Sequence, residues 1–330
     1  MRLLKNLIAL CAATTLAIYL PAPSLAAEQS KPHTIQKKTK RAKASSLKHT
    51  PRQRPSTTRF RGWEYLVERL RQNNVPEKDL IAIYANPRMP EYTFVPFSLK
   101  PKEPASIYRG FNHPRHHALG ASFIERHGDT FDRVEKTLRV PREVVAAILV
   151  VESQIGRNTG DQMIIYRLSR LASTNSPENL RMNYQAKKKL DPSITFEQVK
   201  QRGRYLEQTF LPEIPALIEI AKRNQVDVLS MKGSSAGAFG MPQFLPSAFL
   251  RYGMDGDKDG IVSLHDEEDA LWSTANYLAN FGYRDDIPLQ EKRSIIWRYN
   301  KSKSYIDTIL KVSESIEEAS GDPSSRGDER

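Results

Sequence analysis

Apolar and polar positions along most of this chain recur with a helical period. Trp63, Leu66, Val67, Leu70 and Val75 repeat at near-helical spacing and predict an early helix. Residues 86–117 break the pattern with six prolines and several aromatics, and read as irregular connecting structure. Phe123, Phe131, Val134 and Leu138 predict further helix. Pro141 then opens a strong one, with Val144, Val145, Ala147, Ile148, Val150 and Val151 inside and Gly156 just past its end. Residues 205–223 and 269–281 carry helical patterns too. There is no βαβ alternation and no internal repeat, so the pattern predicts a mainly α domain.

The two ends read differently. Arg2 and Lys5 precede an apolar run, Leu7–Leu20, closed by Pro21 and Pro23, and Ser24-Leu25-Ala26 offers small residues for cleavage. That is the layout of a secretory signal peptide, residues 1–26, and the run is short for a membrane span of about 20 residues. Residues 27–60 are Lys, Arg, Ser, Thr, Gln and Pro with few large apolar groups, a composition that predicts a basic disordered linker. The Ser-, Glu- and Asp-rich stretch 313–330 predicts an acidic flexible tail, leaving 61–312 as the folded domain.

Charge follows this division. Of the formal net charge of +12, residues 27–61 hold +10 and residues 1–26 the other +2. The remainder sums to zero and offers no basic face for nucleic acid. A mean hydropathy of −0.55 excludes a multi-span membrane protein. The one cysteine, Cys11, lies in the signal segment, which excludes disulfides and Cys-ligated zinc from the exported chain. The predicted location is the periplasm, with the mature chain soluble or loosely held at the envelope and carrying no transmembrane span.

Three segments carry candidate chemistry. Glu152 ends a helix that is apolar on nearly every face, beside the negative end of its dipole. Burial and that dipole both favour the protonated carboxyl, the state a general acid needs. The alternative is a Glu that faces solvent or pairs with Arg157. Residues 233–247 form a loop of small residues in which the Gln243 amide can donate to and accept from sugar hydroxyl and acetamido groups. The alternative is a tight helix–helix turn. Gly233, Ser235 and Gly237 match a G-x-S-x-G nucleophile elbow in letters, but that elbow sits between a strand and a helix of an α/β sheet, a context missing here. Finally, Asp255, Asp257 and Asp259 stand at positions 1, 3 and 5 of an EF-hand-like loop, with Gly260 at 6 for the turn and the Ile261 carbonyl at 7. Asp266 occupies position 12 and Asp269 follows. The loop predicts structural Ca²⁺; a solvated acidic turn is the alternative. His113, His116, His117 and His127 fit no strong metal spacing.

Taken in order, these segments resemble the lytic transglycosylase B family of peptidoglycan-cleaving enzymes. The resemblance rests on Val140-Pro141 before Glu152-Ser153-Gln154-Ile155-Gly156-Arg157, on Gly233 to Ser247, on the acidic loop followed by Ala275-Asn276-Tyr277-Leu278, and on Tyr299-Asn300-Lys301-Ser302 with Tyr305. Ser235 and Phe239 depart from the common aromatic and Met.

The resemblance implies a lysozyme-like α+β catalytic domain with a helical N-terminal lobe and a small calcium-binding loop, whose last ligand is Asp269 at position 15. It implies cleavage of the β-1,4 bond between N-acetylmuramic acid and N-acetylglucosamine to 1,6-anhydro ends, with Glu152 as the single acid and base. Ser234, Gln243, Tyr277, Tyr299, Asn300 and Tyr305 would contact the sugars. The implied partners are peptidoglycan strands and the cell-wall machinery, with no organic cofactor. Two rivals stay open: a muramidase that uses water on the same fold, and a non-catalytic peptidoglycan-binding or scaffolding protein.

Overall fold

The computed structural model describes residues 59–101 and 104–321. The signal peptide, nearly all of the basic linker and the last residues of the tail, 322–330, lie outside the described residues. Within them the chain is helical, with α1 (Glu64–Gln72), α2 (Glu77–Tyr84), α3 (Pro114–Arg126), α4 (Gly128–Leu138) and α5 (Arg142–Ser153) first. A short strand β1 (Gln162–Met163) leads into α6 (Ile164–Ala172), α7 (Pro177–Leu190), α8 (Phe196–Phe210) and α9 (Glu213–Arg223). Strand β2 (Lys232–Gly233) then precedes α10 (Pro246–Tyr252), α11 (Glu267–Asn280), α12 (Leu289–Tyr299) and α13 (Lys303–Gly321).

The apolar helix predicted after Pro141 is α5, and it is the axis of the fold. Every residue from Val144 to Val151 is buried, because α3, α11 and α13 pack around it. Each large aliphatic side chain so covered contributes about 1.5–3 kcal/mol. Where α3, α5 and α13 meet, Gly120 lets Ile316 in. A Cβ on Gly120 would stand 2.3 Å from Ile316 Cδ1 and 3.5 Å from Val150 Cγ2.

That contact corrects the predicted boundary at 313. Val312 and Ile316 are buried and α13 continues to Gly321, so residues 313–321 belong to the packed domain. The acidic composition misleads because Glu314, Glu317 and Glu318 are exposed while Val312 and Ile316 are buried, as an amphipathic helix arranges them. At the other end the core starts at Phe60, whose ring is buried under the guanidinium of Arg71, 5.5 Å from its centroid.

The second group of helices, α6 to α9, carries α1 on its flank. Buried Glu207 of α8 accepts from the Tyr65 hydroxyl at 2.7 Å and from Arg69 Nε at 2.9 Å, and its other oxygen accepts from Asn175 Nδ2 at 2.7 Å. The α1–α2 pair is therefore bolted to α8, with Trp63 edge-on to Tyr166 of α6. The helical pattern over 205–223 divides into α8 and α9 at Leu211-Pro212, since proline donates no N–H to a continuing helix. The β content of the α+β expectation amounts, in the described residues, to β1 and β2, paired antiparallel with Gln162 opposite Gly233 and Met163 opposite Lys232.

Candidate active site

Glu152 sits in the last turn of α5, half-buried. Three residues in the left-handed region follow it: Gln154 (φ 53°), Ile155 (φ 52°) and Gly156 (φ 76°). Two of these carry a Cβ, so the reversal costs backbone energy that its surroundings must offset. Ser153 helps to hold it. Its Oγ accepts from Gly156 N at 2.9 Å, and its carbonyl accepts from Asn158 N at 2.9 Å. Gly156 is also where the end of α5 meets the small-residue loop, since a Cβ there would lie 3.1 Å from Met241 Cε. Arg157, the rival partner for Glu152, is exposed.

The β1–β2 pairing lays the 233–247 loop beside this turn. Ser234 donates its N–H to the Ala238 carbonyl at 2.8 Å and accepts from Ala238 N through Oγ at 3.1 Å. Ser234 thus closes the loop on itself; it is 3% exposed and does not line the cleft beside Glu152. Gln243, at φ 52°, donates from Nε2 to the carbonyls of Thr159 at 3.1 Å and Gly240 at 2.8 Å. With its amide nitrogen so engaged, its carbonyl oxygen is the part left to meet a ligand.

A run of aromatic rings leads from this loop to the carboxyl. Phe244 lies 5.7 Å from Tyr277, Tyr277 4.8 Å from Tyr299, and Tyr299 stacks on Tyr305 at 6.3 Å with ring planes 12° apart. The Tyr299 hydroxyl donates to the Pro242 carbonyl at 2.6 Å, tying α12 to the loop. The Tyr305 hydroxyl donates to Glu152 Oε1 at 2.7 Å. Burial first, and then the charge of Glu152, push both phenols far above their usual range, so Tyr305 keeps the proton it donates. The Tyr-Asn-x-Ser motif has a local role here. Asn300 caps the C-terminus of α12, and Ser302 Oγ accepts from Tyr305 N at 3.3 Å, as an N-cap for α13 does.

Glu152, Gln243, Tyr277, Tyr299 and Asn300 line one open cleft of about 310 Å³. Tyr305 is wholly buried behind it and acts on Glu152 rather than on the cleft. The sequence reading missed three charged residues of the cleft: Glu213, Arg251 and Arg298. Glu213 opens α9 and is buried, with its oxygens accepting from Ser247 N at 2.8 Å and Ser247 Oγ at 2.7 Å. Burial raises its pKa, against the bonds from Ser247 and the charge of Arg251. A glutamate within the apolar run Phe210 to Ile220 was the available signal.

The acidic loop gathers part of its expected set. Ligand oxygens of Asp255, Asp257 and Asp269 lie within 4.8 Å of one another. Asp255 Oδ1 is buried with no hydrogen-bond partner, an arrangement that suits a hard cation. Asp269 is buried, accepting from Gly256 N and Ser263 N, each at 2.6 Å. Asp259 falls outside this cluster, and its Oδ1 accepts from Ile261 N at 2.7 Å. Asp266 is occupied elsewhere, because its Oδ1 caps α11 through the N–H groups of Glu268 and Asp269. That cap explains why the carboxylate after the loop is three residues late. Ser235 of the elbow-like triplet lies in the loop between β2 and α10, its carbonyl accepting from Arg167 Nε at 2.8 Å, and no helix starts after it before Pro246.

A family model described as Transglycosylase SLT domain matches residues 59–294. The chain is 30% identical over 164 residues to the membrane-bound lytic murein transglycosylase B of Escherichia coli (strain K12), covering 50% of this chain and 38% of that protein. The match thus runs along well under half of that relative's length. Among solved structures, the Escherichia coli lytic transglycosylase Slt35 in complex with bulgecin A superposes with a TM-score of 0.59 at 19% identity, over 79% of this chain and 94% of that one. The same protein in complex with calcium gives 0.57, at the same identity and coverage. SltB3 from Pseudomonas aeruginosa, in complex with NAG-anhNAM-pentapeptide, gives 0.54 at 18% identity, over 78% of this chain and 80% of that one. At these identities the structures share the fold.

Proposed function

We propose, because this chain belongs to the transglycosylase SLT domain family, that it is a lytic transglycosylase cutting the β-1,4 bond between N-acetylmuramic acid and N-acetylglucosamine in peptidoglycan. The observation that carries this reading is the Glu152 carboxyl, held by Tyr305 in a cleft whose facing wall is the Gln243 loop.

Protonated Glu152 gives its proton to the glycosidic oxygen as the C1–O bond breaks. The substrate's own acetamido group stabilises the positive charge at C1. Glu152, now a carboxylate, takes the proton of the muramoyl C6 hydroxyl as that oxygen closes on C1 and leaves a 1,6-anhydro ring. No water is consumed, and one carboxyl serves both halves of the reaction. Gln243, Tyr277, Tyr299 and Asn300 orient the sugars, while Tyr305 orients the acid.

Glu213 in the same cleft is the observation favouring the rival muramidase, because hydrolytic glycosidases of the two-carboxylate kind need a second acid. Its two bonds to Ser247 favour a structural role instead. Mass spectrometry of digested sacculi separates the readings. Anhydro products, lighter by one water than reducing-end products and lost in Glu152→Gln, are expected. Reducing ends would support the muramidase, and sedimentation with sacculi without turnover would support the scaffolding protein.

Ca²⁺ would fit the loop as a structural ion held by Asp255, Asp257 and Asp269; Asp259, whose Oδ1 accepts from Ile261 N, and the Ile261 carbonyl would have to turn inward to join them. Bound there, it would neutralise these carboxylates and tie Asp269 of α11 to Asp255 and Asp257 in the turn after α10. Residues 1–26 export the chain to the periplasm. Among the described residues no helix is long and apolar enough to cross a membrane.

A further inference from the structure

The cleft beside Glu152 carries two cations that the reaction as written does not use. Arg251, at the end of α10, holds its guanidinium 5.8 Å from the Tyr252 ring centroid, and Arg298, at the end of α12, holds its own 5.1 Å from that of Phe281. Those two rings are 5.9 Å apart. Both arginines line the cleft and both are exposed, so their heads are presented at its rim. Stacking on an aromatic face fixes the plane of a guanidinium while leaving its N–H edge free to bind an anion. Neither makes an ion pair with a carboxylate within 4.0 Å among the described residues, whereas Arg69, Arg133, Arg142 and Arg293 each do.

We propose that Arg251 and Arg298 form an anion subsite on the rim of this cleft that takes a carboxylate of the peptidoglycan strand. The proposal rests on the lytic transglycosylase reading and adds to it a determinant of which strands are held. A neutral amino-sugar polymer offers the arginines hydroxyl and amide oxygens but no anion. Peptidoglycan offers carboxylates from two sources: the termini and acidic residues of the peptide stems, and the lactyl group of muramic acid where the stem has been removed. Paired guanidinium groups bind either by charge-assisted hydrogen bonds.

The test measures binding in the Glu152→Gln background, which keeps strands intact. Three ligands are compared: stem-bearing strands, stem-stripped strands with free lactyl carboxylates, and neutral N-acetylglucosamine oligomers. The double variant Arg251→Ala/Arg298→Ala is expected to lose about tenfold more affinity for a carboxylate-bearing ligand than for the neutral oligomer, the scale of a charge-assisted bond partly open to water. Lysine at both positions restores part of that difference. Selective loss on stem-bearing strands assigns the anion to the peptide; selective loss on stripped strands assigns it to the lactyl group. Equal loss on all three ligands means the arginines only brace the rings, and overturns the subsite. Failure of the wild type to release anhydro products from sacculi overturns the catalytic reading instead, and is read in a separate assay.

Discussion

The Tyr305 hydroxyl donates to Oε1 of Glu152 at 2.7 Å across the contact between α13 and α5. The two residues are 153 positions apart in the chain, so the last helix of the domain sets the angle of the carboxyl on its central one. Removing the hydroxyl leaves the ring stack with Tyr299 intact and frees that carboxyl to rotate. Tyr305→Phe is expected to lower kcat on sacculi by about tenfold, with a smaller change in KM, because misorienting a general acid acts on the transition state. A matched loss of kcat and melting temperature would mean that the hydroxyl serves only folding.

Ile316 lies in a stretch whose composition reads as a solvated tail, yet it fills the hollow over Gly120. Truncating it leaves a cavity against α3 and α5. Ile316→Ala should cost about 2–4 kcal/mol in denaturant unfolding, as for buried aliphatic truncations elsewhere. A neighbouring exposed change, Glu318→Ala, should leave the unfolding midpoint nearly where it was.

Glu213 gives a pH signature. Its folded pKa is raised above the ordinary 4.5, chiefly by burial. A carboxyl so raised favours the fold most below its unfolded pKa, and that advantage is lost as pH climbs through the folded value. Glu213→Gln keeps an oxygen for Ser247 and removes the titration. The stability of the wild type relative to this variant is therefore expected to decline from pH 4 to pH 7, measured by urea unfolding at each pH. A constant difference across that range would exclude a raised pKa.

Calcium should stabilise the chain by mass action, by about 2.7 kcal/mol at a hundredfold excess over Kd. The corresponding rise in melting temperature should vanish on adding chelator and in Asp269→Asn or Asp255→Asn. Asp266→Asn, by contrast, should retain it, because Asn is an equally good N-cap and Asp266 binds backbone rather than ion.

Local pattern was enough for the parts of this protein whose physics is local. The helix after Pro141 is legible because proline at its start and Gly156 just past its end bound the apolar run with helix start and stop signals, and Glu152 stands out because it interrupts that apolar surface. The acidic loop is legible because alternate carboxylates and a turn glycine are close in sequence. Where partners are far apart, side-chain identity did not foretell direction. Ser234 and Tyr305 both sit in motifs that suggest sugar contact, yet one closes its own loop and the other backs the acid.

What the chain determined by itself is a mainly helical body with its strongest helices after Pro141 and over 205–223 and 269–281, the single candidate acid, the calcium-type loop and the basic N-terminal stretch before a neutral body. Packing alone decided that residues 313–321 are core, that Asp266 is a cap, and that Glu213, Arg251 and Arg298 share the cleft with Glu152. Periodicity and turn chemistry act over a few residues and are written in order. This cleft is the meeting of α5, the helices from α8 to α12 and the Gln243 loop, and nothing in any one of them states which face the others will cover.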